Sequence, residues 1–239
     1  KPGGFLRFWH IARDWYDNQS VDAARSQACV AFGRKFMKIA KGAIVLFTGD
    51  SITDCGRARP VGKGAGLGSG YVAIAQERLK DNVVLNTGIS GHTVRDLAAR
   101  WDNDVINLKP DWLSVMIGTN DVWRQFDKRG VGVLPADYKA TYRALLTRVR
   151  PNLKGGLVLM TPFLVEANEA EPMRARMDEY RQIVTELAGE FGAYLVDTQA
   201  MYNYHMLQGA TVKDIAGDRV HPSPNGHKIM AETWLSTVS

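Results

Sequence analysis

The residue types needed for nucleophilic acyl chemistry lie near opposite ends of this chain. The apolar run Ala43-Ile44-Val45-Leu46-Phe47 ends in Gly49-Asp50-Ser51. That sets one hydroxyl at the carboxyl end of a strand pattern, where open α/β sheets bind their ligands. A serine is a poor nucleophile without a base. Asp218-Arg219-Val220-His221-Pro222 supplies one. An acid three residues before a histidine can fix the imidazole tautomer while the other ring nitrogen faces the serine. Ser51, Asp218 and His221 therefore read as a hydrolase triad.

Two further segments fit the same reaction. Gly88-Ile89-Ser90-Gly91 follows an apolar pattern at 83–86, and glycine lets a backbone N–H approach a substrate closely. Gly118-Thr119-Asn120-Asp121 follows another at 112–117, and the Asn120 amide can donate to a developing oxyanion. Each segment alone is a weak signal; the four in this order, each at a strand end or terminal loop, are a strong one.

The elements that must position them are legible as an alternation. Strand patterns at 43–48, 83–86, 112–117, 157–161 and 194–197 alternate with helical patterns at 70–79, 94–108, 135–149 and 172–191. Two more helical patterns follow, at 198–207 and 224–235. Such alternation predicts an α/β chain with a parallel sheet, and right-handed crossovers make it a three-layer α/β/α sandwich. The 239 residues suit one such domain with a surplus.

The surplus is residues 1–41, set apart by composition from a catalytic domain at 42–239. It carries eight Lys/Arg and three Asp, an excess equal to the whole net charge of +5. Residues 42–239 are therefore neutral, which argues against nucleic acid as a partner. Phe5, Phe8, Trp9, Trp15 and Tyr16 are followed by Cys29, Phe32, Phe36 and Ile39 at helical spacing, with Arg34, Lys35 and Lys38 elsewhere around that helix. A basic amphipathic N-terminal helical extension of this kind packs on its own domain or on a second copy of the chain, as in a homo-oligomer; lying on a membrane is the third option. Met37 also offers an alternative start, leaving 1–36 as an added segment.

Cys29 and Cys55 lack metal-ligand spacing and make no disulfide framework, so two free thiols in a reducing, cytoplasmic compartment are expected. No signal-peptide order opens the chain, and no run reaches the ~20 apolar residues of a membrane span. Lys1 is not an initiator, which leaves a removed leader, and so secretion, open.

Taken together the four segments resemble the blocks of the SGNH or GDSL hydrolase superfamily over residues 42–237. Longer stretches are similar to bacterial SGNH-type acetylxylan esterases: Gly49-Asp50-Ser51-Ile52-Thr53-Asp54-Cys55-Gly56-Arg57-Ala58-Arg59-Pro60, Gly88 to Leu97, Asp121-Val122-Trp123-Arg124-Gln125, Pro172-Met173-Arg174 and Asp197-Thr198-Gln199-Ala200. The resemblance implies a flavodoxin-like sandwich with a central five-stranded parallel sheet. It also implies removal of acetyl groups from xylo-oligosaccharides without a metal or other cofactor. One position departs: these relatives usually carry Trp before the catalytic acid, where this chain has Gly217. That bears on sugar preference more than on the triad. His92 and Thr119 replace an expected Asn and Ile.

On this reading Ser51 is the nucleophile, His221 the general base and then acid, and Asp218 its orienting carboxylate. The N–H groups of Ser51 and Gly91 and the Asn120 amide form the oxyanion hole. Asp50 is expected to brace the Ser51 loop, and Asp50, Arg57 and Trp123 are the candidates for lining the substrate site. Asp121 and His227 read as structural. A broad short-chain carboxylesterase, or a lysophospholipase or thioesterase, is the alternative enzyme. A carbohydrate-binding scaffold without catalysis fits worst, because the triad is intact.

Overall fold

The computed structural model describes residues 39–127 and 132–238. The expectations for residues 1–36 and for most of the basic extension, including Cys29, fall outside the described residues. Ile39–Ser239 forms one compact unit.

Five parallel strands form its centre: β1 (Ile44–Gly49), β3 (Val83–Asn86), β4 (Trp112–Met116), β5 (Gly156–Met160) and β6 (Tyr194–Val196). They lie where the sequence patterns place them, within a residue or two. A sixth strand, β2 (Gly62–Lys63), pairs antiparallel with β3 and extends the edge, giving the order β2-β3-β1-β4-β5-β6. The five expected parallel strands are all present, and this short antiparallel strand brings the sheet to six among the described residues. A two-residue strand opening on glycine has no alternating pattern to announce it.

Both faces of the sheet are covered, so its strands are almost continuously apolar. Side chains alternate between two cores. Leu46, Leu113, Val115, Leu157 and Leu159 join one core with α3 (Val94–Ala99), α6 (Pro135–Val149) and α7 (Pro172–Phe191). Val45, Phe47, Trp112, Val158 and Met160 join the other with α2 (Tyr71–Gln76), α8 (Thr198–Leu207) and α10 (Pro224–Val238). Trp234, fully buried on α10, satisfies its indole N–H on Ser114 Oγ of β4 at 3.0 Å. The remaining helices are short: α1 (Ser51–Asp54), α4 (Trp101–Asp104), α5 (Thr119–Phe126) and α9 (Val212–Ile215).

The helix expected over 94–108 is interrupted. It stops at Ala99, resumes at Trp101 and ends as a 3₁₀ turn at Ile106–Leu108. Asp102, Asn103 and Asp104 are weak helix formers, and the Arg100 side chain reaches back to Gly49 O and Thr87 O at 2.8 and 2.6 Å.

Strand β1 lies between β3 and β4, so the chain leaves it first to one side and then to the other. The crevice at its carboxyl end is the topological switch point of the sheet. Ser51 stands there.

Candidate active site

Helix α1 is a single turn that starts on Ser51. Asp50 caps it, accepting the Ile52 N–H at 3.0 Å. The His221 ring comes from the loop between α9 and α10, 170 residues later, and places Nε2 3.0 Å from Ser51 Oγ. His221 Nδ1 lies 2.7 Å from Asp218 Oδ2, while Asp218 Oδ1 accepts the backbone N–H groups of Val220 and His221 at 3.0 and 2.8 Å. Partial burial resists ionisation of Asp218. The hydrogen bonds from the His221 ring and from the two backbone N–H groups outweigh it and hold the carboxyl below its usual range. An ionised Asp218 accepts from Nδ1–H, which leaves Nε2 unprotonated toward the serine. The side chains of His221 and Asp218 are 47% and 52% exposed, so this constellation sits open to solvent.

The loop bearing it is tied down from its far side. Arg219, in the left-handed region at φ 71°, pairs with Glu166 at 3.0 Å, and its carbonyl accepts the Val165 N–H at 2.8 Å. Gly217, immediately before Asp218, is exposed and has open space where a Cβ would stand.

Opposite His221, the Gly88–Gly91 loop crosses directly over α1. A Cβ on Gly88 would meet Asp54 N at 2.5 Å, so no other residue permits that approach. Gly91 adopts φ 81°, and its N–H has no acceptor among the described residues; nor has that of Ser51. Asn120, on the first turn of α5, donates from Nδ2 to His92 O at 3.1 Å and keeps a second N–H. Trp123, one turn along α5, packs its ring against the His221 imidazole, centroids 5.9 Å apart at 53°. The structure therefore brings together Ser51, His221, Asp218, Gly91, Asn120 and Trp123.

Two expected lining residues lie elsewhere. Arg57 is 4% exposed and spends its guanidinium on carbonyls, with Nε to Gly88 O at 2.7 Å and Nη1 to Ala58 O at 3.1 Å. It is a loop clasp, a correction to its reading as a substrate-lining group. Asp50 is fully buried, so it too does not line the site. Burial pushes its carboxyl up to about 7, opposed by the Ile52 N–H and the His221 charge, and Oδ2 has no partner among the described residues. Asp121 is equally buried and caps α3 by accepting the Val94 N–H on both oxygens, at 3.0 and 3.2 Å.

His227 accepts the Tyr71 N–H on Nδ1 at 3.2 Å, so its proton sits on Nε2, facing Cys55 Sγ at 3.4 Å. Burial lowers His227 to about 4 and raises the Cys55 thiol to about 12, which makes this a neutral pair beneath α1. Its place is outside the triad, as its reading as structural requires. Charged residues that sequence reasoning passed over hold the remaining loops. Arg100 donates to Gly49 O, Thr87 O, Asp104 and His92 Nδ1. Arg124 bonds Gly91 O. Asp54, one turn past Ser51, takes both N–H and O–H of Ser90. Their one signal in sequence is position: charged side chains within or just after the motif segments.

Among the described residues, no group of three or more His, Cys, Asp or Glu is arranged to hold a metal ion, and no helix is long and apolar enough to cross a membrane.

A serine, a histidine and an acid meeting at the switch point of a parallel sheet is an arrangement found in serine hydrolases. The chain belongs to the GDSL-like lipase/acylhydrolase family, whose profile matches residues 47–229. It is 49% identical over 213 residues to an acetylxylan esterase of Geobacillus stearothermophilus, spanning 84% of this chain and 96% of that protein. The crystal structure of Axe2, an acetylxylan esterase from the same organism, superposes with a TM-score of 0.81 at 48% identity, covering 85% of this chain and 97% of that one. LAE5, an alpha/beta hydrolase enzyme from the metagenome of Lake Arreo, Spain, superposes with a TM-score of 0.79 at 41% identity, covering 84% and 96%.

Proposed function

We propose that this chain is a serine esterase that removes O-acetyl groups from xylo-oligosaccharides through an acetyl-Ser51 intermediate. The observation that carries the reading is the hydrogen-bonded series Ser51 Oγ, His221 Nε2, His221 Nδ1, Asp218 Oδ2 at the switch point, at 3.0 and 2.7 Å. The similarity to acetylxylan esterases supports the acetyl group and the sugar.

In this mechanism Ser51 Oγ attacks the ester carbonyl carbon while its proton passes to His221 Nε2. The negative charge gathering on the carbonyl oxygen is met by the Ser51 and Gly91 N–H groups and the Asn120 amide. Collapse breaks the bond to the sugar oxygen, which leaves with the proton from His221. Water then attacks the acetyl carbon and gives its proton to His221. Acetate departs and Ser51 is restored. Asp218 stays ionised throughout and steadies the imidazolium. Trp123, against the imidazole, offers a face to the acetyl group or the sugar ring.

Residues 42–239 are the catalytic domain of this proposal, and residues 1–41 are a separate basic segment preceding it in sequence. The free thiol of Cys55 favours a reducing, cytoplasmic setting.

The test is acetate release from acetylated xylo-oligosaccharides beside a p-nitrophenyl ester series, wild type against Ser51→Ala. Ser51-dependent deacetylation, with ester activity falling steeply beyond short chains, is the expected result. Ester hydrolysis without sugar deacetylation would replace the substrate reading with a general short-chain esterase. No Ser51-dependent hydrolysis of either substrate would refute the site.

A further inference from the structure

Asp54 is buried to 2% exposure, yet no step of the mechanism uses it. Its Oδ2 accepts both the Ser90 N–H and the Ser90 Oγ–H at 2.9 Å. Arg59 closes the other side with two bonds, Nη1 to Oδ1 at 3.1 Å and Nη2 to Oδ2 at 2.7 Å. A carboxylate removed from water is costly unless its lone pairs are filled, and here four bonds fill them. Burial resists ionisation of Asp54, and the bonds from Arg59 and Ser90 overcome it, holding the carboxyl below its usual range.

The placement of those partners is what matters. Asp54 shares one helical turn with Ser51, and Ser90 is joined by its peptide bond to the N–H of Gly91. We infer that Asp54 is a positioning residue: it couples the helix carrying the nucleophile to the loop carrying the Gly91 oxyanion donor, and so sets the distance between them. This rests on the roles proposed above for Ser51 and Gly91.

Three neighbours grip the same loop at other points. Arg57 takes Gly88 O from the Asp54 side, while Arg124 and Asn120 take Gly91 O and His92 O from α5. Among the described residues, only Asp54 bonds the residue whose peptide presents the donor and also belongs to the nucleophile's own helix. A donor displaced by a fraction of an ångström loses most in the transition state, where the charge is largest. The loss should therefore appear in kcat.

The experiment uses the full chain and compares Asp54→Asn and Ser90→Ala with wild type. It reads kcat and KM on p-nitrophenyl acetate, the affinity for methylboronic acid, which forms a tetrahedral adduct on a reactive serine, and Tm. In Asp54→Asn, kcat should fall about 10- to 100-fold, with KM within about twofold and boronate affinity falling in step with kcat. Ser90→Ala should show the same pattern at a few-fold. A drop in Tm with wild-type kcat per folded molecule, or a rise in KM with kcat retained, would overturn the role. Should Asp54→Asn not fold, Ser90→Ala decides by the same criteria. Ser51→Ala run alongside separates the levels. Full activity there refutes the site itself. Loss there beside wild-type kcat in both other variants refutes only the positioning role.

Discussion

In the proposed mechanism Asn120 has two tasks in one amide: one N–H fastens the His92 carbonyl, and the other meets the oxyanion. Removing a single oxyanion donor costs about 10²–10³ in turnover. Asn120→Ala should lose kcat in that range while its circular dichroism remains that of the wild type; unchanged kcat would take Asn120 out of the chemistry. Asp50 presents a different situation, a fully buried carboxyl with one oxygen unpartnered among the described residues. Its folded pKa, about 7, lies above the ordinary 3.8, so the folded state holds the extra proton. The stability this contributes is complete below about pH 4 and lost as pH rises through about 7. Asp50→Asn should therefore gain stability over wild type at pH 8, on the order of 2 kcal/mol, and little near pH 4. Urea unfolding at the two values checks this, and an equal effect at both would contradict it. At this scale the meeting of Ser51, His221 and Asp218 was readable from sequence, because a serine after a strand pattern and an Asp-x-x-His loop are local signals. The contrast between Arg57, a clasp, and Trp123, packed on His221, was not. Whether a side chain faces inward or outward at a strand end is decided by carbonyls 30 residues away, such as Gly88 O.

The short elements carry the site, and their junctions are tight. Strand β1 passes into α1 through Gly49, where a Cβ would lie 2.0 Å from Met116 O on the neighbouring strand and 2.8 Å from Thr53 Oγ1. Backbone on one side and a packed helix on the other leave no room to relax. Gly49→Ala should cost about 3 kcal/mol in denaturant unfolding and move α1 enough to abolish most activity. An alanine variant of wild-type stability would show that this junction yields. Periodicity announced the long elements, and α6 and α7 begin and end where the patterns do. The helical patterns do not include α5, whose start at Thr119 follows Gly118 without a side-chain cap. The consequence for the chemistry is direct: Asn120 and Arg124 are one helical turn apart, and so act on one loop together. Helix α1, four residues long, is too short for any periodic signal.

For the molecule as a whole, the charge asymmetry has a kinetic meaning. Residues 42–239 balance 22 basic against 22 acidic side chains, and a neutral oligosaccharide gives a net field nothing to steer. Raising NaCl from about 50 to 500 mM should change kcat/KM on acetylated xylo-oligosaccharides by less than about twofold. A steep salt dependence would contradict this reading of substrate capture. Charge and alternation change at the same place in the sequence, and the proposed division at 41/42 rests on that. The sixth strand was not legible in the sequence, because at the edge of a sheet two residues suffice to pair.

The openness of the triad bears on what becomes of the acyl group. With His221 and Asp218 about half exposed, the acetyl-Ser51 of the proposed mechanism would stand at the surface and not in a sealed chamber. Water has no privileged access to it. A sugar hydroxyl or a small alcohol arriving by the route of the departing product meets the same carbonyl and the same imidazole. Under the proposed mechanism an open site of this kind should let an alcohol or sugar hydroxyl compete with water for the acetyl group, so that transfer products are expected in alcohol-rich or sugar-crowded solution.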